Sequence, residues 1–307
     1  SAQTDSRAQR RGRYVPDTTA HPARMLPAVA AAAISGLTEP GELVFDPMCG
    51  AGTTLVEAMH LGRAAVGVDI EPRWSSLARD NIAHTRYLGI GGYGHVITGD
   101  ARSLPAVLPP QYLDQMRGQV KLVLTSPPYG AATHGVVSTR PGEAVSKRDF
   151  RYSRWTRPAN LAYQPLQRLL GGLTRILAGC VPLLAPDGYV VLIARPWRDH
   201  GELVDLPGAI CHAAETAGLR PVQRCVALLA GIRDGDLVSR ASFFQRTAVG
   251  KARAAGQPWH LISHEDVLLF RPMHTASRRR LAAVPPAVPT DWAAASSGPA
   301  TPGPVAA

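Results

Sequence analysis

The chain is poor in cysteine, lysine and aromatic residues and has no long apolar run, and each shortage narrows what it can be. Its 4 cysteines, Cys49, Cys180, Cys211 and Cys225, form no CxxC pair and fall at no metal-ligand spacing. That argues against a zinc module or a disulfide framework and for a reduced, cytoplasmic protein without a metal. No stretch approaches the ~18 apolar residues of a membrane span, and the apolar run over 28–34 is too short, so neither a membrane role nor a leader is expected. Acidic residues are outnumbered, 23 against 33 basic, which leaves a net charge of +10. Such a surplus suits a polyanionic partner, because each cation that meets a phosphate releases a counterion. Only Lys121, Lys147 and Lys251 are lysines. The arginine excess, alongside abundant Ala, Gly and Pro, also fits a GC-rich coding bias.

What remains is ample for a core. With 307 residues, 45% of them apolar, one elaborated α/β domain is expected, over residues 21–274. Residues 1–20 are polar, basic and without period, and read as a flexible segment; residues 275–307, rich in Ala, Pro and Ser, read as a disordered tail. Between them, short apolar runs ending in acidic residues alternate with helical patterns. A helix is expected over 23–37, then a strand ending at Asp46, a second over 64–69 and a third over 95–100. A fourth covers 121–125, followed by a helix over 165–184, a fifth strand from 188 and a last helix over 204–219. Two closing strands, 221–229 and 266–270, are separated by what reads as a long basic loop. The fold class is therefore Rossmann-like α/β, a seven-stranded, mostly parallel sheet with an antiparallel closing strand and helices on both faces.

In such a sheet the ligand lies beyond the carboxyl ends of the strands, so the residues just after each strand matter most. Asp46-Pro47-Met48-Cys49-Gly50-Ala51-Gly52-Thr53 forms a glycine-containing turn that opens a helix, where unpaired amides can hold a carboxylate. Asp69 ends the second strand, placed to accept ribose hydroxyls, with Ile70 beside it to cover an adenine face. Asp100 and Ala101 follow the third strand, a side-chain acceptor and a backbone donor for the adenine edge. Three acidic strand ends in register suit S-adenosylmethionine better than a dinucleotide, since GAG lacks the full GxGxxG spacing. Cys49 reads as a small buried filler.

The fourth strand ends in Thr125-Ser126-Pro127-Pro128-Tyr129-Gly130. An exocyclic amino group on a base is a weak nucleophile because its lone pair is delocalised. The Ser126 hydroxyl and the Pro127 carbonyl are acceptors that can draw it towards tetrahedral geometry, Pro127 and Pro128 hold that carbonyl rigidly, and Tyr129 offers a stacking face. A carbon-5 cytosine methyltransferase needs a cysteine nucleophile here, and none is near.

On these motifs the chain resembles the amino-methyltransferases of the class I S-adenosylmethionine-dependent fold, most of all the TSPPY group of DNA methyltransferases. The resemblance extends through His21 and Pro22, similar to the segment that closes over the methionine end of the cofactor, and through His264 to Phe270, similar to the final strand. It implies transfer to the exocyclic amino group of cytosine in DNA, with adenine as a variant, by a bacterial enzyme of the restriction–modification kind acting on a flipped base. A second family, the tRNA guanine amino-methyltransferases, shares DPMCGAGT-like loops and a PPYG ending; Asp or Asn usually precedes its prolines, where this chain has Ser126. A non-catalytic nucleic-acid-binding subunit is the third reading, against which the intact transfer motif stands. Two basic inserts suit nucleic acid. One, over 130–160, carries Arg140, Lys147, Arg148, Arg151, Arg154 and Arg157 among Phe150, Tyr152 and Trp155, and the other, over 231–260, is rich in arginine.

Overall fold

The computed structural model describes residues 4–129, 136–138, 146–148, 159–199, 201–241 and 243–273. The tail expected over 275–307 and the basic positions Arg140, Arg151, Arg154 and Arg157 lie outside the described residues, as do the side chains of Lys147 and Arg148. The chain divides after Pro272, and the main sheet lies wholly in the first unit.

Strands β1 (Leu43–Asp46), β2 (Ala64–Asp69), β3 (Tyr93–Thr98), β4 (Val120–Thr125), β5 (Leu184–Ala194), β6 (Leu219–Leu228) and β7 (His264–Pro272) form one sheet. Their order is β6-β7-β5-β4-β1-β2-β3. Strands β1 to β5 pair in parallel, and β7 runs antiparallel to both β5 and β6. This is the Rossmann-like class I methyltransferase sheet expected from the sequence. Its switch point, where β1 has β2 on one side and β4 on the other, is where such sheets open a crevice.

The strands are buried on both faces, and their side chains alternate between two cores. Val44, Leu122, Leu124, Val191 and Ile193 face α2 (Pro27–Leu37), α3 (Thr53–His60) and α4 (Pro72–Tyr87), which contribute Ile34, Leu55, Met59, Ala78 and Ile82. Phe45, Val123, Val190 and Leu192 face the other way, against α5 (Pro110–Met116), α6 (Leu166–Cys180) and α7 (Leu206–Thr216). In α6 the buried set Leu169, Leu173, Ile176, Leu177 and Cys180 recurs at helical spacing, giving one apolar stripe. Helices α2, α4 and α5 begin on a proline, where the missing N–H would have no partner in any case.

Three expectations are corrected. Residues 4–20 are not a loose segment: α1 (Ser6–Arg10) and a 3-10 turn at Pro16–Ala20 pack onto α3 and α4. Buried polar partners hold them. Tyr14 donates to Glu57 Oε1 at 2.7 Å, Arg13 meets Glu57 Oε2 at 2.6 Å, and the buried Arg10 guanidinium reaches the Met25 carbonyl at 2.5 Å and Thr53 Oγ1 at 3.2 Å. The helix expected from residue 23 starts only at Pro27, because residues 21–25 turn across the sheet's edge and line a cavity there. The segment between β6 and β7 is not a loop; it forms a hairpin, Ala230–Arg233 with Asp236–Ser239, and then a helix, Phe243–Ala254. Asp234-Gly235 at the hairpin tip is the favoured two-residue turn.

Candidate active site

A cavity of about 430 Å³ opens at the carboxyl ends of β1, β2 and β4, within the range typical of small-molecule sites. Every residue expected on the cofactor side lines it except Gly52 and Thr125, and so do Ser126, Pro127, Pro128 and Tyr129. The structure thus brings together motifs that lie far apart in the chain.

The turn after β1 is shaped by two glycines. Gly50 has φ of +50°, and a Cβ there would lie 2.8 Å from His21 Nε2, so glycine lets the 21–25 segment close over the turn. Gly52, with φ of +79°, packs α3 against Ala78 of α4, where a Cβ would meet the Ala78 Cβ at 3.0 Å. Thr125 does not line the cavity either, being fully buried beside Asp46.

The acidic strand ends differ in their surroundings. Burial pushes Asp46 up to about 6, opposed by the hydroxyls of Thr54 and Thr125, and Thr54 Oγ1 donates to Asp46 Oδ2 at 2.6 Å. Burial pushes Asp69 up to about 7 although both its oxygens accept backbone N–H bonds, from Gly50 at 2.8 Å and from Glu71 at 2.9 Å. Asp100 goes the other way. Burial raises it, but Arg102 outweighs burial with a 2.6 Å bond from Nη2 and a 3.0 Å bond from its backbone N–H, so the carboxyl ends below its usual range. Each carboxylate oxygen keeps lone-pair capacity for a ligand hydroxyl or amine.

Sequence reasoning missed several lining residues. Glu71 is buried and accepts from Asn160 Nδ2 at 2.8 Å, which ties the end of the first insert to the start of α4. Trp74 stands edge-on to His21 with ring centroids 4.6 Å apart, and burial drives the His21 imidazole down to about 3, so it is neutral. Arg24 lines the cavity with its pKa lowered to about 10 by burial and by Arg10. On the β4 side, Arg195 follows β5 with its guanidinium 5.8 Å from the Tyr129 ring centroid, and Trp197 lies 6.2 Å from the same ring. Glu265, at the amino end of β7, also lines the cavity.

S-adenosylmethionine fits this donor set. Asp69 and Asp46 can accept hydroxyls, Ile70 and Ala101 offer apolar cover, and the α3 amino terminus and Arg24 can receive a carboxylate. Among the described residues no helix is long and apolar enough to cross a membrane.

The N6_N4_Mtase family, described as DNA methylase, matches residues 2–80. Two curated relatives are tRNA (guanine(10)-N2)-dimethyltransferases. That of Methanothermobacter thermautotrophicus is 36% identical over 124 residues, 39% of this chain and 32% of the relative, and that of Methanocaldococcus jannaschii is 32% identical over 115 residues, 37% and 31%. The chain spans about a third of the length of these relatives. Among solved structures, TrmN from Thermus thermophilus aligns over 86% of this chain and 53% of its own at 18% identity, with a TM-score of 0.49. The chain is thus similar over part of its length to amino-methyltransferases, and its strand order and cofactor turn are those expected of the Rossmann-like fold.

Proposed function

We propose that the chain transfers a methyl group from S-adenosylmethionine to the exocyclic amino group of a nucleic-acid base, and that this base is guanine in an RNA. The observation that carries the first part is that one cavity is lined both by Asp46, Asp69 and Asp100 and by Ser126, Pro127, Pro128 and Tyr129. The cofactor, when bound, supplies an electrophilic methyl carbon. The protein's part is placement. Ser126 and the Pro127 carbonyl accept the amino protons, Tyr129 supports the ring, and the nitrogen lone pair forms the new N–C bond while the S–C pair stays on sulfur. The surplus amino proton leaves to water. Orientation supplies most of the acceleration, and no strong base is needed.

Guanine in RNA is favoured by the two tRNA guanine relatives, whose likeness covers more than a third of this chain. Cytosine in DNA is the second reading, favoured by Ser126 ahead of the prolines and by a matching family described as DNA methylase. Incubation with labelled cofactor and either tRNA or DNA, followed by nucleoside mass spectrometry, separates them. Methylated guanosine is the expected product; methylated cytosine in DNA would move the assignment to the second reading, and no label in either would remove both.

A further inference from the structure

We propose that Glu265 reads the target base, its carboxylate accepting from the ring N1–H of guanine, next to the 2-amino group that Ser126 and the Pro127 carbonyl receive. This rests on the guanine reading and adds the residue that enforces it. The side chain lines the same cavity as Ser126 and Tyr129. Its Oε2 is buried and has no hydrogen-bond partner among the described residues. A buried carboxylate oxygen left unpaired is costly, so the arrangement makes physical sense where a ligand completes it.

Sheet register explains how a residue so far along the chain arrives there. Asp266 pairs with Ala194 across β7 and β5, so the next position towards the cavity sets Glu265 beside Arg195. Thr125 pairs with Leu192, which brings Ser126 to the same edge from β4. Burial raises the Glu265 carboxyl, and the Arg195 charge opposes that rise and so favours the ionised, accepting form. Along one edge guanine presents its 2-amino group, N1–H and O6 in that order. Ser126 and the Pro127 carbonyl take the first, Glu265 matches the second and Arg195 is the donor suited to O6. Cytosine and adenine instead present a bare ring nitrogen next to their amino group, which an ionised carboxylate repels.

The test uses synthetic RNA substrates in which guanosine is replaced by 2,6-diaminopurine riboside, which keeps the 2-amino group but has a bare N1. The wild-type protein should methylate guanine with a kcat/KM about a hundred-fold above that for diaminopurine, since a site built for a ring donor is left with an unpaired group. Glu265→Gln should reverse the preference, because its amide can donate to the bare N1. Its affinity for S-adenosylhomocysteine, measured by calorimetry, should match wild type. Equal use of both bases by the wild type, or a folded Glu265→Gln protein that still prefers guanine, would overturn the assignment of Glu265. Should the variant fail to bind S-adenosylhomocysteine, the wild-type comparison decides alone. Wild-type product on cytosine rather than guanine would instead end the reading on which the inference rests, a result visible before any variant is made.

Discussion

On the β1 to β3 side of the cavity the carboxylates of Asp46, Asp69, Glu71 and Asp100 each accept bonds from the protein itself, whereas on the β4, β5 and β7 side Glu265 Oε2 has no partner among the described residues. The first side is preorganised: its acceptors are fixed by backbone amides and hydroxyls before any ligand arrives, as suits a cofactor that is the same in every turnover. The second keeps Glu265 and Arg195 beside an aromatic face, Tyr129. Such groups gain most from a ligand with complementary donors, and they discriminate between ligands for the same reason.

Substitutions on the two sides should therefore fail differently. The largest effect is expected from Tyr129→Ala combined with Ser126→Ala: single-turnover methylation should fall about a thousand-fold while cofactor affinity stays within a factor of about two. A matching loss of cofactor affinity would erase the division between the sides. Next comes Asp69→Ala, which removes the acceptor that also holds Gly50 in place. Cofactor Kd should weaken by about ten- to a hundred-fold, with a smaller change in turnover at saturating cofactor, both read by calorimetry and initial rates.

These predictions depend on residues that were unequally legible in the sequence. The β1, β2 and β4 ends could be read because parallel strands deliver their ligands' partners just past the carboxyl end, and Asp46, Asp69 and Ser126 sit there. Glu265 escaped the same rule because β7 is antiparallel and presents its amino end to the cavity; the acidic pair Glu265-Asp266 at the head of an apolar strand was the available signal. The packed amino-terminal segment was invisible for another reason. Its anchors, Tyr14, Arg10 and Arg13, are paired with Glu57 and Thr53, which lie on a helix far along the chain, so no local period marks them. Among its described side chains the helix at Phe243–Ala254 is mostly exposed, with Val249 and Ala252 buried, and so lacks a strong apolar stripe. The Asp234-Gly235 pair ahead of it was the one local signal for a hairpin in a stretch whose basic composition reads as loop.

A smaller effect sharpens the cofactor side. Tyr14→Phe removes the hydroxyl that donates to the buried Glu57 carboxylate at 2.7 Å and should cost about 1–3 kcal/mol in denaturant unfolding. A loss near zero would mean the amino-terminal segment adds nothing to the fold. The smallest expected effect concerns pH. Asp46 and Asp69 sit at about 6 and 7, above their ordinary 3.8, so the stability they contribute is full below about pH 4 and is lost as pH rises through 6 and 7. His21, held at about 3 against an ordinary 6.5, acts in the opposite sense: its contribution is present above pH 6.5 and is lost as pH falls towards 3. The Tm of His21→Phe should therefore rise more steeply than that of wild type on acidification from about pH 7 to about pH 5. Parallel curves would contradict a neutral, buried His21.

The most direct test of one cavity serving both cofactor and base is a crystal structure with S-adenosylhomocysteine and a guanine-containing RNA. The adenosine should be held by Asp46 and Asp69, and the guanine should lie on Tyr129 with its 2-amino group against Ser126 and the Pro127 carbonyl and its N1–H towards Glu265. A base bound elsewhere, or one whose amino group points away from Ser126 with the cofactor product in place, would contradict it.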